Sequence, residues 1–131
     1  RNYFFLALVA IVGLVSCSNK QFPQSGTSIP PAKLQSLIEK KKVQLIDVRT
    51  EGEYKEGHIA GAGLIDVLQE ASFQQQIQTL DRNKSYVVYC RSGKRSKQAM
   101  DLMQKKGFKK VVDLNGGIQA WKGATENNFH E

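Results

Sequence analysis

Two rhythms of apolar positions alternate along the chain. Leu34, Leu37 and Ile38 stand three and four residues apart within Ala32 to Lys42, behind Pro30-Pro31; the spacing predicts a helix with proline in its first turn. Val43 to Val48 is a short apolar run that predicts a strand, and Leu64 to Val67 predicts another. Phe73, Ile77 and Leu80 predict a helix over Phe73 to Leu80, and Tyr86 to Tyr89 predicts the next strand. Ser96 to Lys106 repeats apolar residues at Ala99, Met100 and Met103 and stops at Gly107, as a helix with a C-terminal glycine does. Val111 and Val112 predict a brief last strand and Gly117 to Trp121 a final short helix. Strands this apolar are covered on both faces, so the pattern predicts an α/β fold with a parallel sheet between two layers of helices. Ligands in such sheets sit beyond the C-terminal ends of the strands. Cys90 lies at one of those ends.

The N-terminal pattern differs. Tyr3 to Val15, "YFFLALVAIVGLV", is an unbroken apolar run of thirteen residues, shorter than the roughly 20 that span a bilayer as a helix. It fits the core of a signal peptide. Leu14-Val15-Ser16-Cys17 resembles the bacterial lipobox, in which a cysteine receives diacylglycerol and becomes the first mature residue. Ser18 to Ser28, "SNKQFPQSGTS", is polar, without periodicity, as a tether would be. The expected division is a lipoprotein signal peptide over 1–16, a lipidated cysteine and tether over 17–28, and one domain over 29–131. The lipobox resemblance implies a bacterial cell-envelope protein anchored to a membrane through lipid on Cys17.

Composition narrows this picture. A chain of 131 residues, 40% hydrophobic and 24% charged, supports one domain with a real core. The net charge of +7 suits nucleic acid, anionic lipid or small anionic substrates alike. Lys40 to Lys42, Lys105-Lys106 and Lys109-Lys110 fall near predicted helix ends, where cations complement the helix dipole. No recognition-helix, zinc-finger or aromatic RNA-binding pattern accompanies them, so no nucleic-acid partner is expected. The two cysteines are Cys17 and Cys90. With Cys17 acylated, Cys90 is the one thiol left, which excludes an internal disulfide, a CxxC pair and a multi-cysteine zinc site. No metal or organic cofactor is expected.

The surroundings of that thiol carry the chemistry. In "VVYCRSGKRS" a strand ending at Cys90 and a helix starting near Ser96 leave Arg91, Ser92, Gly93, Lys94 and Arg95 as a tight loop. Its backbone N–H groups can curl around the sulfur as an anion-binding nest, and the helix N-terminus adds partial positive charge. Arg91, Lys94, Arg95 and Lys97 add formal charge, and no acid lies between Cys90 and Met100 to offset them. Each effect favours thiolate over thiol and makes Cys90 a nucleophile. Gly93 permits the positive φ that such a loop requires. The competing reading makes Cys90 a small buried hydrophobe beside a solvated loop.

At this point the chain resembles a family. "LIDVRTEGEYKEGHIAGA" (Leu45 to Ala62), "YCRSGKRS" and "GFKKVVDLNGGIQAW", in this order and spacing, resemble the rhodanese-like domain, a sulfurtransferase module, in its one-domain form. The resemblance implies a three-layer fold with a five-stranded parallel sheet flanked by helices. It implies that Cys90 takes a sulfane sulfur from a small anionic donor such as thiosulfate, becomes a persulfide, and gives the sulfur to a cyanide or thiol acceptor, including an unidentified protein acceptor. The loop Arg91 to Arg95 would bind the transferred sulfur and the donor, with Arg95 facing the site. Asp47, Arg49 and His58 are expected to be structural: the first two, at a strand end, pair with each other or with loop backbone, and His58 holds its turn through hydrogen bonds. Two alternatives belong to other classes. Cysteine phosphatases also use a strand-loop-helix cysteine, but with five residues between cysteine and arginine, whereas "CRSGKR" has four. Non-catalytic rhodanese-like modules usually lack the cysteine kept here.

Overall fold

Residues 21–128 are described by the computed structural model. The apolar run Tyr3 to Val15 and Cys17 lie outside the described residues. In chain order the elements are β1 (Ser28–Ile29), α1 (Pro31–Glu39), β2 (Gln44–Asp47), α2 (Glu51–Glu56), β3 (His58–Ile59), β4 (Gly63–Leu64), α3 (Glu70–Ile77), β5 (Ser85–Tyr89), α4 (Lys94–Lys105), β6 (Lys110–Leu114), α5 (Gly117–Ala120) and β7 (Thr125–Glu126). Five strands form one parallel sheet in the order β1-β6-β5-β2-β4, and β3 pairs antiparallel with β7. The expected α/β architecture, a five-stranded parallel sheet between helices, is the one observed.

The period of two in β5 divides the interior. Tyr86, Val88 and Cys90 face a cluster with Phe73, Ile77, Ala99 and Met103, so α3 and α4 cover that side. Val87 and Tyr89 face the other cluster with Leu34, Leu37, Val112 and Leu114, under α1. Both faces are buried, which is why β5 reads as an apolar run from Tyr86 to Tyr89. Cys90 follows directly on the central strand and inherits the orientation of Val88.

Several boundaries differ from expectation. The strand predicted over Leu64 to Val67 pairs regularly only at Gly63–Leu64; beyond it the Ile65 and Val67 N–H groups still donate to the carbonyls of Asp47 (2.9 Å) and Val48 (3.1 Å). α4 begins at Lys94, two residues ahead of the predicted Ser96, with Gly93 at its N-cap. Part of the segment read as a tether is packed on the domain. Phe22 lies against the second cluster, Gly26 N–H donates to Val111 O at 2.8 Å, and Ser25 Oγ accepts from Val111 N–H at 3.1 Å. Apart from Phe22, these contacts run through backbone and hydroxyl groups, and a single apolar residue makes no period.

Candidate active site

Cys90 is 1% exposed, at the C-terminal end of the middle strand and beneath the N-terminus of α4. Gly93 makes the turn between them with φ 123°, a left-handed region open to glycine. That turn brings the Gly93 N–H to 3.1 Å from Cys90 Sγ. Ser96, in the first turn of α4, places its Oγ 3.5 Å from the sulfur. Burial pushes the thiol pKa up. The Ser96 hydroxyl and the backbone N–H groups of Ser96, Gly93 and Ser92 push it down further, and the net direction is below the ordinary thiol value. Of the expected nest, the Gly93 N–H is within hydrogen-bond distance of the sulfur, and the Ser96 hydroxyl lies beside it.

The outward side of the loop is braced by α5. Ile118 N–H donates to Cys90 O at 2.9 Å and Gln119 N–H to Arg91 O at 3.2 Å. These two carbonyls are therefore turned away from the sulfur, which leaves the loop's N–H groups for the other side. Gly117, with φ 61°, permits the approach: a Cβ there would lie 2.4 Å from Arg91 O and 2.5 Å from Cys90 O.

The cations are distributed differently from the sequence expectation. Arg91, Ser92 and Lys94 are exposed. Arg95 sits in the first turn of α4, and its guanidinium forms a bidentate pair with Glu53, Nη1 to Oε2 at 2.7 Å and Nη2 to Oε1 at 2.8 Å. An acid does offset the cluster; it comes from α2 and not from the neighbouring sequence. Arg95 holds Glu53 well below the usual carboxylate range, at about 2, opposed by burial and helped by the N–H and hydroxyl of Thr50. Glu53 in turn raises Arg95, and the charge of Cys90 adds less. Thr50 and Glu53 form a reciprocal capping box that starts α2. Arg49, Arg91, Glu53 and Glu56 share the rim of an open depression beside the loop.

Asp47 and Arg49 are buried together beside Tyr89 of β5. Arg49 Nη2 lies 2.7 Å from Asp47 Oδ2 and donates to Gly57 O at 2.6 Å, so the pair ties the end of β2 to the end of α2. His58 is buried, stacked on Tyr54 with ring centroids 3.7 Å apart, and its Nδ1 lies 2.8 Å from Tyr54 O. Its Nε2 is 3.5 Å from Glu126. Neither nitrogen is engaged with Cys90.

Three residues near the site escaped the sequence reading. Glu53 carried a legible signal, the Thr50-x-x-Glu53 capping box, but "EGEYKE" has no apolar stripe to mark a helix. Ser96 was read only as a helix start. Asp113 is fully buried, with its carboxylate reached by the hydroxyls of Ser28 and of Ser96, the latter at 2.9 Å. Its signal was a lone acid between Val112 and Leu114 in a core strand.

Comparison with known proteins points to one family. The rhodanese-like domain matches residues 30–124. A Bacillus subtilis protein named as a sulfurtransferase, YtwF, is 38% identical over 99 residues, which are 75% of this chain and 92% of YtwF. The thiosulfate sulfurtransferase GlpE of Coxiella burnetii is 34% identical over 86 residues, 66% of this chain and 78% of GlpE. Against the sulfur carrier protein YrkF of Bacillus subtilis the identity is 32% over 107 residues, covering 79% of this chain and only 56% of YrkF. Among solved structures, a rhodanese-like domain protein of Staphylococcus aureus superposes with a TM-score of 0.69 at 28% identity, covering 79% of this chain and 99% of the other.

Proposed function

The chain belongs to the rhodanese-like domain family, and on that premise we propose that it is a sulfurtransferase that carries a sulfane sulfur from thiosulfate or a similar anionic donor on Cys90. The observation that carries the reading is a buried sulfur at a strand end, with the Gly93 N–H 3.1 Å away and its thiol pKa pulled down by backbone and hydroxyl donors. The Cys90 thiolate attacks the outer sulfur of thiosulfate. An S–S bond forms at Cys90, the donor's S–S bond breaks, and sulfite leaves with the electron pair. The persulfide keeps one negative charge on its outer sulfur, which the loop N–H groups are placed to stabilise. A cyanide or thiol acceptor then attacks that sulfur, and the electron pair returns to Cys90 as thiolate. Arg91 and Lys94, both exposed, attract the anionic donor. Arg95, held by Glu53, contributes less charge than its position in the sequence promised.

Loop length disfavours a phosphatase. Four residues separate Cys90 from Arg95, one fewer than phosphatases use to encircle a tetrahedral phosphate. Asp113, the acid linked to the site through Ser96, is fully buried and cannot meet a leaving group at the mouth. Sulfite, weakly basic, needs no such acid.

We further propose that the protein sits in a bacterial envelope, held by lipid on Cys17. In support, Gln21 and Phe22 share a groove with Lys33, Lys40, Lys42 and Lys110 near the N-terminal ends of the strands, whereas Cys90 is at a C-terminal end. The anchored end and the reactive end would thus be opposite, with lysines toward anionic lipid and Cys90 toward soluble donors and acceptors.

The test is turnover by purified protein with cyanide as acceptor and thiosulfate, a mercapto-acid or glutathione persulfide as donor. Thiocyanate should form from at least thiosulfate, Cys90→Ser should abolish it, and aryl phosphates should stay intact. Hydrolysis of aryl phosphate through Cys90, with no thiocyanate from any donor, would contradict the proposal.

A further inference from the structure

Asp113 is a buried acid that sulfur transfer as described above does not use. It lies on β6 in register with Val88 of β5, is 0% exposed, and forms no ion pair among the described residues. Its side chain is held by two hydroxyls: Ser28 Oγ on Oδ1, and Ser96 Oγ at 2.9 Å from Oδ2. Ser96 Oγ is also 3.1 Å from Gly93 O and 3.5 Å from Cys90 Sγ. A hydroxyl has one proton to give. With Asp113 ionised and Cys90 a thiol, Ser96 donates to Asp113 and its oxygen accepts the S–H. With Cys90 a thiolate, Ser96 must turn its proton toward the sulfur, and an ionised Asp113 would lose that bond while a second negative charge appeared behind the same hydroxyl. Two buried like charges placed behind one hydroxyl disfavour each other.

We propose that Asp113 is the proton acceptor for Cys90, reached through Ser96. The S–H bond breaks as an O–H bond forms at Ser96 Oγ, and the original Ser96 proton passes to Asp113 Oδ2. The products are a thiolate that accepts from Ser96 and a neutral carboxyl that donates to Ser96. One proton has shifted along the chain, one negative charge has moved from Asp113 to Cys90, and no electrons are gained or lost. The arrangement gives a nucleophile that is 1% exposed a place for its proton without a histidine or a water. Gly93 N–H stays on the sulfur throughout. The charged groups around the pair do not substitute for this route. Arg91, Lys94 and Lys97 are exposed on the loop and α4, Arg95 is paired with Glu53, and Asp47 at the end of β2 pairs with Arg49 just beyond it. Asp113 is here a positioning residue for charge. Its role rests on Cys90 being the nucleophile.

The test follows iodoacetamide alkylation of Cys90 against pH in the full chain, with no sulfur donor present. Wild-type protein should rise in two steps, with a plateau at low pH where the pair holds one proton and a fraction of Cys90 is already thiolate. Asp113→Asn keeps the shape but cannot take the proton. It should give a single step, falling tenfold per pH unit below its midpoint and dropping well under the wild-type plateau. Ser96→Ala should also lose the plateau. A single-step wild-type profile, or a plateau that survives in Asp113→Asn, would overturn the proposal. If the variants do not fold, wild-type protein decides alone. Its infrared spectrum should show a protonated-carboxyl band at the pH of the plateau that disappears on alkylation, and the absence of such a band would equally overturn it. A protein that shows the plateau yet never gains sulfur from thiosulfate would retain the relay and lose the donor assignment.

Discussion

The Cys90 thiol is held below its ordinary pKa by groups a few ångströms away, the Ser96 hydroxyl and backbone N–H donors. The sequence around it shows four cations, yet the one best placed in the helix, Arg95, is bound to Glu53. Replacing Glu53 by Gln leaves a side chain that can still cap α2 but releases the guanidinium. We expect Glu53→Gln to lower KM for thiosulfate several-fold while leaving KM for a neutral donor unchanged; equal effects on both would show that Arg95 does not face the donor. The same substitution has a pH signature. Glu53 falls from an ordinary 4.5 to about 2 in the folded protein. A depressed carboxylate contributes stability that is complete above its unfolded pKa and is lost as pH falls through the folded one. Thermal unfolding of wild-type protein should therefore lose stability between about pH 4.5 and 2, and Glu53→Gln should lose less over that range. At this scale Cys90, Gly93 and the loop were legible because their types sit together in the sequence. Glu53 and Asp113 were not, because folding alone brings them to the site.

Among the elements, α5 shows how a distant segment shapes the reactive loop. It has only four residues, but its N–H groups take the carbonyls of Cys90 and Arg91. Gly116 and Gly117 both have positive φ, 77° and 61°. The contact with the loop was invisible, because a glycine gives no sign of what lies above it. A Cβ at position 117 would collide with that backbone. Gly117→Ala should cost about 1–3 kcal/mol of stability through overpacking, and a displaced loop should lower turnover by roughly a hundredfold. Chemical denaturation and the thiocyanate assay check the two parts; an unchanged turnover would mean that α5 does not set the loop. β1, β3 and β7 have two residues each, too few to show a period. α2 lacks a buried face, so its cap was the one signal available.

For the whole molecule, the alternation of apolar strands with amphipathic helices predicts a parallel sheet with both faces covered, and two core clusters on either side of β5 are what it forms. Strand order was beyond reach of periodicity, since β1 enters next to β6 through only Ser28 and Ile29. The N-terminal pattern supports a membrane anchor as a proposal. Expressed in a bacterial host that exports it, the wild-type chain should partition into detergent with membranes, and Cys17→Ser should not; soluble, unmodified wild-type protein would contradict the anchor. The central claim concerns the sulfur on Cys90, and intact-mass spectrometry of purified protein treated with thiosulfate alone tests it most directly. The account predicts a gain of one sulfur atom, located on Cys90 and removed by cyanide. A mass that never changes with thiosulfate or any other sulfur donor, in protein whose Cys90 still reacts with iodoacetamide, would contradict it.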